Sequence, residues 1–87
     1  MTDIQEIVNH YFFSTGLDLE DIKEQAKTGQ IKYGRHTKPA KELLELTGTL
    51  EKAKEAIDII AEWANERGLS YTIETAFKRF WEIKHLL

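Results

Sequence analysis

The sequence predicts an all-α fold, a compact bundle of about five helices, and three observations carry that expectation. Four of the five glycines, Gly16, Gly29, Gly48 and Gly68, fall where a run of apolar residues with helical spacing breaks off, the position at which a helix ends in a left-handed residue. Between these stops the apolar residues recur three and four apart. Nowhere do polar and apolar residues alternate for more than a few positions, so no strand is expected.

A first helix is expected over 2–14. Thr2 and Gln5 have the spacing of a capping box, Ile4, Ile7, Val8, Tyr11 and Phe12 line one side, and Phe13 widens that stripe. A shorter helix over 18–28 places Leu19, Ile22 and Ala26 on one face. Asp18, Glu20 and Asp21 suit the positive end of its dipole and Lys27 the other end. From Gly29 to His36 there is no period and Gly34 interrupts, which reads as a loop or one irregular turn pinned to the core by Ile31 and Tyr33.

The third helix is expected over 37–47. Thr37 is in place to cap it, and Pro39, the chain's one proline, lies in the first turn, where a missing amide hydrogen costs nothing. Ala40, Leu43, Leu44 and Thr47 follow at helical spacing. Thr49 then caps the longest helix, 50–67, whose apolar residues from Leu50 to Ala64 cover an arc of roughly 200 degrees at about 100 degrees per residue. So wide an arc puts this helix at the centre, with Glu51, Glu55, Asp58, Glu62 and Glu66 as an acidic outer face. A last helix over 71–85, capped by Ser70 or Thr72, turns Ile73, Ala76, Phe77, Phe80, Trp81, Ile83 and Leu87 inward, Trp81 at the edge of the arc. The short turn joining helices four and five makes the last pair helix-turn-helix-like. The whole is expected to be a single domain, 1–87, with a soft boundary at 29–36 between a two-helix N-terminal part and a three-helix C-terminal part.

A chain of 87 residues that is 41% hydrophobic and 31% charged is apolar enough to fold and too apolar to be disordered. It contains no cysteine, which excludes disulfides and thiolate metal sites and suits a reducing, cytoplasmic setting. The first sixteen residues carry Asp3 and Glu6 and no basic residue, unlike a signal peptide, and no apolar run approaches the ~20 residues of a membrane span. No membrane role is expected.

Nothing in the chain has the pattern of a catalytic or cofactor site. His10, His36 and His85 have no metal-ligand spacing, Ser14 and Ser70 fall at helix ends, and Gly29 and Gly34 do not form a phosphate-binding loop. The acids of the fourth helix read as a solvated face. We therefore expect no enzymatic activity, no cofactor and no small-molecule substrate.

Charge distribution is more informative. Net charge is −3, yet Lys27, Lys32, Arg35, Lys38 and Lys41 lie in a stretch with no acid. Such a block makes a local positive potential that attracts polyanions. Lys32, Tyr33, Arg35, His36, Lys38 and Lys41 interleave cations with aromatic rings beside a helix N-terminus, where phosphates can be contacted and Tyr33 can stack on a base. Lys78 and Arg79 add cations from the last helix. The competing reading has the loop solvated, with Tyr33 packed inward and the cations balancing the acidic face. Alternatively, Trp81 together with Tyr11 or Phe13 forms an exposed aromatic patch that docks a protein.

From residue 32 to 83, the strings Tyr33-Gly34-Arg35-His36, Lys38-Pro39-Ala40-Lys41-Glu42-Leu43-Leu44, the stretch 53–63 and Gly68-Leu69-Ser70-Tyr71-Thr72-Ile73-Glu74-Thr75 resemble small helical modules in replication-associated and phage-type proteins of Gram-positive bacteria. That resemblance implies contact with DNA or with a replication partner through Arg35, Lys38, Lys41, Lys78 and Arg79. The expected function is thus non-catalytic macromolecule binding, with DNA as partner and replication as setting, and a protein-interaction module as the alternative.

Overall fold

The computed structural model describes residues 1–87 as helices joined by short turns, with no strand. The helices are α1 (Asp3–Ser14), α2 (Leu19–Thr28), α3 (Thr37–Thr47), α4 (Leu50–Glu66), α5 (Ile73–Lys78) and α6 (Phe80–Ile83); 3-10 turns occupy Tyr33–His36 and Lys84–Leu86. Local chemistry sets most of these boundaries. Thr2 and Gln5 form the expected capping box, as do Asp18 with Asp21 and Thr72 with Thr75, and the Thr49 hydroxyl accepts from the Lys52 amide. At the other end of α4, Gly68 has φ +64 and its neighbours close a Schellman pair, Leu69 N–H to the Ala64 carbonyl and Gly68 N–H to that of Asn65.

Helix α4 runs through the middle. Ala53, Ala56, Ile57, Ile60, Ala61 and Ala64 are buried, and the four alanines let neighbouring helices approach closely. Against it lie α1 through Ile7, Val8, Tyr11 and Phe12, α3 through Ala40 and Leu43, α5 through Ile73 and Ala76, and α6 through Phe80 and Ile83. Helix α1 packs directly on α3 and α4, so one apolar cluster continues across residues 29–36. The radius of gyration, 12.3 Å, matches the ~12 Å of a folded chain this long. No helix is long and apolar enough to cross a membrane.

Four expectations need correction. The last helix is not continuous over 71–85: it breaks at Arg79 (φ −98, ψ 12) and ends in a 3-10 turn. No glycine or proline stands there. Phe77, Phe80 and Trp81 are only moderate helix formers, so tertiary contacts decide the local conformation. The tertiary contact at the break is the Arg79 guanidinium 4.4 Å over the Trp63 ring, joined by a local 3.0 Å bond from Arg79 to Glu82. Trp81 is turned outward, 68% exposed, whereas Tyr11 is buried and cannot share a surface patch with it. Thr37 does not cap α3, because the preceding 3-10 turn runs straight into the helix and leaves Thr37 with helical dihedrals; its hydroxyl donates back to the Gly34 carbonyl at 2.8 Å. Finally, α2 is held mainly by Ile22, while Leu19 and Ala26 of the same face are exposed.

Candidate nucleic-acid interface

The segment 32–41 sorts its side chains by period. In a 3-10 turn, residues three apart lie on the same side. Tyr33 and His36 accordingly face the core together, while Lys32 and Arg35 face solvent, and Lys38 and Lys41 carry the cationic row into the first turns of α3.

Both aromatic members are engaged internally. The Tyr33 hydroxyl donates to Asn9 Oδ1 at 3.0 Å, and its ring stacks on Phe12 at 6.3 Å between centroids. Burial raises its pKa above the ordinary value. The His36 ring packs edge-on to Phe12 at 5.1 Å and tilted against Tyr11 at 5.2 Å, and its pKa is lowered by burial first and by the neighbouring Arg35 charge second. Tyr11 in turn donates to the Tyr71 carbonyl at 3.0 Å, and Ser14 Oγ lies 2.7 Å from the Tyr71 hydroxyl. The segment is thereby tied to α1 and, through Tyr11, to the residues leading into α5.

The cations are placed differently. Lys32, Arg35, Lys38 and Lys41 are exposed, and no carboxylate lies within 4 Å of any of them. Two adjoining surface depressions organise three of them. One, of about 360 Å³, is lined by Lys32, Arg35, His36 and Pro39 and closed by Thr72 and Glu74. Its neighbour, of about 440 Å³, has Arg35, Lys38, Pro39 and Glu42 on one side and Glu74, Phe77 and Lys78 on the other. Docking of α5 against α3 therefore brings Lys78 beside Arg35 and Lys38, across some forty residues of chain.

Two predicted members stand apart. Lys41 lines neither depression, and Arg79 points to Trp63 and Glu82 on another surface. Glu74, an acid on the same face of the last helix as Lys78, lines both depressions and holds Lys78 at 2.9 Å, as its four-residue spacing to Lys78 allows. Unforeseen is the cluster of Arg67 and Arg79 over the Trp63 ring, for which the spacing of Trp63 and Arg67 on one helix was a partial cue. Nor was the contact of His10 Nε2 with Asp58 Oδ1 at 2.8 Å, which links α1 to α4.

Chemically, this surface can neutralise an extended anion at several points. Its row of cations is exposed to solvent, and Glu74 is an internal competitor for Lys78. No three metal-binding side chains converge anywhere in the chain. Compared with known proteins, the chain matches no family model, no curated protein and no solved structure.

Proposed function

We propose that this protein is a non-catalytic nucleic-acid-binding domain whose partner is DNA, contacted through the phosphate backbone by Lys32, Arg35, Lys38 and Lys41. One observation carries the reading: four exposed cations without acidic partners are gathered on one segment of a chain whose net charge is −3. A row of exposed cations without ion-pair partners keeps a local positive potential in an acidic protein, and phosphate contacts fit it directly. Lys78 extends the row once it leaves Glu74. In this reading the α4–α5 pair takes the place of a helix-turn-helix, although the recognition element is the 32–41 segment more than α5, whose six residues present the already paired Glu74 and Lys78. A replication-accessory role is the setting in which such binding is proposed to act.

Base stacking by Tyr33 is not part of this proposal, because its ring and hydroxyl are engaged with Phe12 and Asn9. The second reading, a protein-interaction module with an exposed aromatic patch, rests on Phe13 and Trp81, since Tyr11 is buried.

The test is an NMR titration of isotope-labelled protein with short single- and double-stranded DNA at low and at raised salt. Backbone shifts concentrated at 32–41 and around Lys78, fading as salt rises, are the expected result. An unchanged spectrum with both DNAs, or shifts confined to other surfaces, overturns the proposal.

A further inference from the structure

A second surface, which shares no lining residue with the α3 depressions, has a different chemistry. Between α4 and the C-terminal segment runs a groove of about 480 Å³, within the size range of built binding clefts. Ile59, Trp63, Ile83 and Leu86 supply its apolar floor, with Leu86 more than half exposed. Glu62, Glu66 and Glu82 stand on its rim.

We infer that this groove docks a cationic amphipathic helix of a partner protein, apolar side chains in the groove and Lys or Arg along the α4 edge. The sign of the partner follows from which charges are already used. Arg67 and Arg79 lie over the indole of Trp63 at 4.8 and 4.4 Å, and each has a carboxylate beside it, Glu66 at 3.8 Å and Glu82 at 3.0 Å. Glu62 has no cation within 4 Å, nor do Glu51 and Glu55 further along α4. An anionic occupant would meet three carboxylates on the rim and two guanidiniums already matched; a cationic one meets unmatched acid.

The shape of the partner follows from the length of the acidic row. Glu51, Glu55, Asp58, Glu62 and Glu66 are all exposed and recur every three or four residues, a stripe about 22 Å long at 1.5 Å per residue, in which Asp58 is met by His10 of α1 and Glu66 by Arg67. A small cation would use one turn of that stripe, whereas a helix of about fifteen residues lies along all of it and sets the apolar anchors of one end over the groove, which meets α4 between Ile59 and Arg67. The third helix of a second copy does not supply such a segment. Its exposed cations at Lys38 and Lys41 share their helix face with Glu42 and Glu45 and carry no large exposed apolar residue.

The experiment uses the full chain with Trp81→Phe, so that Trp63 is the one indole reporter. Three synthetic peptides are titrated: a Leu/Lys amphipathic helix, the same apolar pattern with Glu in place of Lys, and a scrambled Leu/Lys peptide of identical composition. The expected result is that the first peptide alone shifts Trp63 emission, and that the double substitution Glu62→Lys, Glu66→Lys weakens it by at least about tenfold. Leu86→Asp weakens it too, while Arg35→Ala with Lys38→Ala leaves it unchanged, which separates this surface from the proposed DNA site. Trp81, Glu62, Glu66, Leu86, Arg35 and Lys38 are all exposed, so no substitution removes a core side chain, and far-ultraviolet circular dichroism of each variant checks that its helices are kept. Equal binding of the scrambled peptide, tighter binding of the Glu peptide, or indifference to the charge reversal overturns the inference.

Discussion

Removing Arg35, Lys38 and Lys41 together, each to Ala, should change the salt dependence of DNA binding by a calculable amount. Four cations of the 32–41 segment are free of acidic partners, and Lys78 is held by Glu74 at 2.9 Å. If each free cation neutralises one phosphate, duplex affinity falls with a log–log salt slope of about −3.6, at about −0.9 per contact. Between 50 and 200 mM salt that is a loss of roughly 150-fold; the triple variant retains Lys32 alone, with a slope near −0.9 and a loss of about 3- to 4-fold. Fluorescence anisotropy with a labelled duplex over that salt range measures both slopes. Glu74→Gln supplies a change of opposite sign: it releases Lys78 and removes a carboxylate from the wall of both depressions, so the slope should steepen by up to about one contact and low-salt affinity should rise. A triple variant that keeps the parent slope and affinity refutes the reasoning, because the cations would then not be meeting phosphate.

Three further outcomes test the fold beneath that surface. Ile57→Ala removes a fully buried side chain from the centre of α4 and should cost about 2–5 kcal/mol in urea unfolding, the range for large-to-small core changes. Gly68→Ala should cost about 1 kcal/mol, all of it backbone strain, since φ is +64 and an added Cβ would touch nothing within 4 Å. Burial against Tyr11 and Phe12 lowers the folded pKa of His36 below the ordinary 6.5, so the unfolded chain takes up the proton first. Stability should therefore be full above about pH 6.5 and decline as pH falls from there to the lower folded value, and His36→Phe should flatten that part of the profile obtained by thermal melts.

Much of the helical layout is legible because its signals lie within a few residues of one another. Thr2 with Gln5, Thr49 with Lys52 and the glycine stops act over three to five positions, a distance the chain covers without help from tertiary structure. The central place of α4 is legible for a related reason: apolar residues over so wide an arc need neighbours on several sides. Thr37 was misread because its role depends on whether residues 33–36 wind into a turn, which the period-free string between Gly29 and His36 does not disclose. Of the candidate interface, the cations themselves were legible as a block of one sign. Their division into used and unused was not.

What the sequence alone determined is the placement of the first four helices, most of their caps and stops, and a local excess of positive charge in an acidic chain. The tertiary structure decided which way the side chains of that charged segment point: Tyr33 to Asn9 and Phe12, His36 between Tyr11 and Phe12, Lys32 and Arg35 to solvent. It also set Lys78 beside Arg35, broke the last helix at Arg79 over Trp63, and turned Trp81 outward. The division has a physical cause. Caps and periods are satisfied by neighbours along the backbone, whereas burial, ring packing and ion pairing between distant residues depend on which helix faces meet, and that is set by the packing of the whole core.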